Sequence, residues 1–97
     1  MTVFISGKMS GVANYNRDAF FAAEGELRAQ GHKVLNPAVL PTDLPETAYM
    51  PICLAMLDVC DAIYMLTGYE DSLGAGIELS YARRQGKIVL QQEDADE

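Results

Sequence analysis

Histidine is nearly absent from this sequence, which holds His32 alone. A Ser-His-Asp relay or a multi-histidine metal site has almost no material to be built from. His32 follows Gly31 and reads as a structural residue just past a helix end. Cysteine is also scarce. Cys53 and Cys60 are not spaced as C-x-x-C, and no second pair completes a zinc set. Small secreted domains usually carry more cysteine, so two reduced, buried thiols are expected, with no metal and no cofactor. The seven basic residues are scattered, with only Arg83 and Arg84 adjacent. That pattern argues against a footprint for a nucleic-acid polymer, although two or three aimed donors suffice for a small anion. No apolar run approaches the roughly 20 residues that span a bilayer, so no membrane partner is expected. The start "MTVFISGK" lacks a basic n-region and a long apolar h-region. Cytoplasm is the expected compartment.

What is present describes a soluble globular chain. Of 97 residues, 49% are hydrophobic and 22% charged, which allows one domain with one modest core. Net charge is −7, and Glu93, Asp94, Asp96 and Glu97 cluster in "EDADE". One domain over 1–91 and an acidic, solvated tail over 92–97 are expected. Short apolar runs at 2–6, 33–37, 61–66 and 87–91 read as strands. Three segments between them read as helices, at 16–31, 47–60 and 75–86. Asn14 or Asn16 is the expected cap of the first, Thr47 of the second. Gly31 and Gly86 close the first and third. Such β-α alternation implies an α/β fold with a parallel sheet between helical layers. The expected strand order is 2-1-3-4, a flavodoxin-like arrangement cut short.

In an open parallel sheet, ligands bind beyond the carboxyl ends of the strands, where the order reverses. Here that place falls between the first and third strands. The loops leaving them, "GKMSG" and "TGYEDSLG", are the richest in glycine and polar residues. In "DSLGAGIELSYA" one acid, Glu78, lies on the helical side that carries Ala75, Leu79 and Ala82. A Glu near a helix start commonly serves the helix dipole. Gly74 and Gly76, however, weaken that start and make sense if a ligand approaches the backbone, with Ser72 beside it. In the first loop, Ser6, Gly7, Lys8, Ser10 and Gly11 read equally as a turn with solvated side chains or as a ligand loop. It is not a P-loop, because the GxxxxGK[ST] order is absent. Tyr15 and Tyr69 read as packing a sugar or base, or as ordinary core or surface tyrosines. Met50, Met56 and Met65 read as core filling.

Taken together, "FISGKMSG", the Y-N-R…F helix start, "GHKVLNP", "LDVCDAIYML" and "SLGAGIELSYA" resemble the nucleoside 2-deoxyribosyltransferase-like superfamily. The likeness spans residues 2–90. It looks nearest to a small, largely phage- and prophage-borne branch of unassigned function, and the S-x-G-x-G-x-E run is similar to that of 2′-deoxynucleoside 5′-monophosphate N-glycosidases. The resemblance implies that Glu78 is a nucleophile. It also implies that Ser72 contacts a 5′-phosphate, and that Gly7, Lys8, Ser10 and Gly11 line a phosphate and sugar loop. The superfamily further implies a homodimer or larger assembly. Two departures stand out. The family's Asp upstream of the third strand falls, counted back from Asp61, on Cys53. An Arg of the hydrolases' phosphate loop falls near Met9. The implied activity is cleavage or transfer of an N-glycosidic bond on a nucleoside or its monophosphate. The rival reading is a nucleotide-binding or sequestering module without turnover.

Overall fold

A computed structural model describes residues 1–93 of the chain. Four strands, β1 (Thr2–Ser6), β2 (Lys33–Leu35), β3 (Ala62–Met65) and β4 (Ile88–Gln91), form one parallel sheet. Its order is β2-β1-β3-β4, as expected. Three helices join them: α1 (Arg17–Ala29), α2 (Glu46–Asp58) and α3 (Leu73–Arg84). Short 3-10 turns occupy Pro37–Val39 and Tyr69–Asp71.

The twofold alternation of strand side chains splits the core into two halves. Val3, Ile5 and Val34 face α1 and meet Phe20, Ala23 and Leu27. Phe4, Ile63 and Met65 face the other way and meet Leu57 of α2 with Ala75, Leu79 and Ala82 of α3. The molecule is therefore three layers, with α1 on one face and the α2–α3 pair on the other. The same alternation puts Ser6 on the face of Phe4, under α3. Strand pairing holds Ser6 beside Met65, so β1 and β3 end level with each other.

Several element ends differ from expectation, each for a local reason. α3 begins at Leu73 rather than Ala75, because the Ser72 hydroxyl accepts from the Ala75 N–H at 3.1 Å and caps the helix. α2 is preceded by Pro45, not capped by Thr47. Its Pro51 sits in the second turn and removes the bond to the carbonyl four residues back, at an exposed position where water can satisfy that oxygen. Neither Asn14 nor Asn16 caps α1 through its side chain. Asn16 instead donates to the Lys8 carbonyl at 2.8 Å. Gly31 takes the left-handed conformation at the end of α1, as placed from sequence. Both cysteines are buried thiols. Of the acidic tail, residues 94–97 lie outside the described residues. Gln92 is tied back to the sheet through its N–H on the Met65 carbonyl. Among the described residues no helix is long and apolar enough to cross a membrane.

Leu57 joins α2 to the sheet and is fully buried. Replacing it with alanine leaves a cavity that α2 cannot close, and is expected to cost about 2–5 kcal/mol. Urea unfolding checks this: the midpoint should fall with an unchanged m value.

Candidate functional site

Beyond the carboxyl ends of β1 and β3 lies a crevice of about 590 Å³, within the usual size range of small-molecule sites. Its lining comes from the loop after β1, the start of α1, the loop after β2, one face of α2 and the start of α3. Glu78 is the buried acid at this place. It lies in the second turn of α3 and is 8% exposed. The Ser6 hydroxyl donates to its Oε1 at 2.6 Å, across 72 residues of sequence. Cys53, on α2, lines the same crevice, and its thiol lies close enough to favour the charged carboxylate.

This trio has a definite electrostatic balance. Burial raises the Glu78 pKa above its ordinary 4.5, while the Ser6 and Cys53 hydrogen bonds favour the charged form and oppose the rise. Burial and the Glu78 charge together push the Cys53 thiol up to about 12. Cys53 is thus a neutral donor at physiological pH and not a thiolate nucleophile. The position at which the superfamily resemblance places an Asp is therefore one that lines the same crevice as Glu78. It offers a proton-bearing donor in place of a second carboxylate.

The structure brings most of the sequence candidates together. Ser6, Gly7, Lys8, Ser10, Tyr15, Ser72 and Gly74 line the same crevice as Glu78. Gly11 and Gly76 do not. Gly76 points away from the crevice, and a Cβ there would meet nothing within 4 Å, so no close approach explains it. Gly11 is a turn residue with φ of 79°. Gly7 has a packing explanation, since a Cβ on it would lie 2.9 Å from the Leu66 side chain. The Ser72 oxygen already accepts one hydrogen bond as a helix cap, and its O–H is left to meet a ligand. No acid among the described residues pairs with Lys8. Met50 lines the crevice and is not simple core filling, whereas Met65 is fully buried. Tyr69 is half-buried against the α2–α3 side of the core.

Sequence reasoning missed the far wall, including Leu40, Pro41, Leu44 and Tyr49. The signal was available, because the loop after the second strand also leaves a carboxyl end of the sheet. It missed Arg17 as well. The Arg17 guanidinium donates twice to the Ala38 carbonyl, at 3.0 and 2.7 Å, and once to that of Leu40 at 3.1 Å. It clamps the wall and is not an idle anion ligand. Among the described residues there is no cluster of three or more His, Cys, Asp or Glu side chains placed to hold a metal.

A four-stranded parallel sheet of this order between helical layers is also the fold of a solved deoxyribosyltransferase. The 2-desoxiribosyltransferase from Leishmania mexicana is similar to it, with a TM-score of 0.74 and 20% identity. The match covers 93% of this chain and 62% of that one, so this chain spans under two thirds of that protein, and the likeness is one of fold. The chain belongs to the family described as a domain of unknown function, DUF4406, whose model matches residues 1–91. No curated protein matches it.

The raised pKa of Glu78 has a consequence for stability. The folded chain keeps this proton to higher pH than the unfolded chain does. The Glu78 contribution is therefore most favourable below 4.5 and declines as pH rises through the folded-state value. Glu78→Gln should abolish that decline. Thermal midpoints measured between about pH 4 and 8 should show the variant gaining on wild type as pH rises. A pH-independent difference would show that the fold does not disfavour this charge.

Proposed function

We propose that the protein acts on the N-glycosidic bond of a nucleoside or nucleoside 5′-monophosphate, with Glu78 as nucleophile. The observation that supports this most is the carboxylate itself: buried, oriented by Ser6, and set in a crevice of nucleoside size at the ends of β1 and β3. The fold it shares with the 2-desoxiribosyltransferase from Leishmania mexicana supports it too.

In this reading the Glu78 carboxylate attacks C1′ on the face opposite the base. The C1′–N bond breaks, its electron pair leaves on the base nitrogen, and the base takes a proton. The resulting glycosyl ester is then opened by water, giving hydrolysis, or by a second base, giving transfer. The Ser6 hydroxyl holds the carboxylate through its hydrogen bond, and the Cys53 thiol flanks it in the crevice. Lys8 and the Ser72 hydroxyl provide donors for a phosphate, which favours a monophosphate over a free nucleoside. The experiment is a panel of nucleosides and 5′-monophosphates scored for released base. Glu78→Gln should lower turnover by about a thousandfold or more while leaving ligand affinity near wild type.

One observation favours a second reading. Cys53 stands where the superfamily resemblance places an acid, and the other carboxylates of the crevice, Glu46 and Asp71, lie elsewhere on its wall, as in a module that binds a nucleotide without turning it over. Binding without base release would select this reading, and Cys53→Asp is the variant that tests whether an acid there restores turnover.

We also propose self-association. The helix α2 is apolar on nearly all sides, and Leu73 and Ile77 on α3 are 84% and 43% exposed. A second copy covering this surface would remove it from water. Light scattering should report a dimer or larger species at tens of micromolar, and a monomer there would discard the idea.

A further inference from the structure

Asn14, Tyr15 and Asn16 have φ of 54°, 53° and 59°. Three consecutive non-glycine residues thus lie in the left-handed region. L-residues enter it singly, and Asn does so far more readily than Tyr. The segment connects the loop after β1 to α1, a task glycine could perform without steric cost. The turn is pinned in place. The Tyr15 N–H donates to the Val12 carbonyl at 2.9 Å, the Arg17 N–H donates to the Asn14 carbonyl, and the Asn16 amide holds the Lys8 carbonyl.

Tyr15 gains little from the fold in return. It is 51% exposed and belongs to neither half of the core. Its phenol makes no hydrogen bond among the described residues. Burial, hydrogen bonding and backbone preference all fail to explain a tyrosine here. Its ring nonetheless lines the crevice, together with the apolar side chains of Leu40, Pro41 and Leu44.

We propose that the left-handed turn is a strained mount for Tyr15, and that the Tyr15 ring closes over the planar heterocycle of a nucleotide held in the crevice. This rests on the nucleotide reading of the site. Tyr15 is then a specificity residue: it touches the base and takes no part in bond breaking. Strain in the free protein is offset when the half-exposed ring is covered by ligand.

Two variants separate the parts of this proposal. Tyr15→Gly removes both strain and ring, and Tyr15→Phe keeps the ring and loses only the phenol. Binding is measured by calorimetry in the Glu78→Gln background, so that the ligand survives. The probes are 2′-deoxyadenosine 5′-monophosphate and 2-deoxyribose 5-phosphate, which lacks a base. Tyr15→Gly should raise the thermal midpoint by about 2–6 °C. It should weaken the monophosphate by about 5- to 100-fold and leave the baseless sugar phosphate unchanged. That last comparison controls for added loop flexibility. Tyr15→Phe should match the Glu78→Gln parent in both measurements. A midpoint that falls or stays put overturns the strain. Equal loss for both probes, or none for either, overturns the stacking while the nucleotide reading stands. Failure of the parent to bind either probe, with no binding across the nucleoside panel, removes that reading and the stacking with it.

Discussion

A carboxylate under α3, almost wholly withdrawn from water, organises much of what surrounds it. An isolated charge in that position would be costly. The Ser6 hydroxyl makes it tolerable, and a hydrogen bond to a charged group of this kind contributes about 1.5–3 kcal/mol. For Ser6 and Cys53 to reach the crevice beside Glu78, three separate elements must end or turn at one place. β1 must stop at Ser6, α2 must present Cys53, and α3 must start two residues before Ala75. The Ser72 cap provides the last of these.

The sheet supplies the frame for that convergence. With β1 between β2 and β3, the chain leaves β1 toward one side and later returns beside its other edge. The loops after β1 and β3 therefore diverge, and the space between them opens. α1 closes one face, and α2 with α3 closes the other. Arg17 ties the far wall to the start of α1 through main-chain carbonyls, so the wall of the crevice is held by a cation that is already occupied. Lys8, without an acidic partner among the described residues, has no such engagement.

Much of the architecture was legible. Four short apolar runs separated by helical periodicity lead to the parallel sheet, and the order 2-1-3-4 follows from where crossovers can go. Gly31 marked a helix end correctly because only a left-handed residue fits there. The placement of Glu78 beside Ala75, Leu79 and Ala82 came from helical spacing alone, and all four are buried. Helix starts were less legible. A capping serine and a loop serine look alike in sequence, so Ser72 read as a ligand residue before it read as a cap. Gly76 read as a site residue through its neighbours, although helical geometry turns it away from the crevice.

Sequence by itself determined the elements, their order, and which side of α3 carries the acid. These follow from local periodicity, which needs only residues a few positions apart. Tertiary structure alone decided what the acid meets. Ser6 lies 72 residues from Glu78, and only the pairing of β1 with β3 beneath α3 brings them to hydrogen-bond distance. Cys53 could be counted into register with a family's acid, but its place in the same crevice as Glu78 depends on how α2 lies against α3. The left-handed turn at Asn14–Asn16 was likewise invisible. Nothing in a tyrosine between two asparagines requires a positive φ; hydrogen bonds to Lys8 and Val12 impose it once the chain has folded.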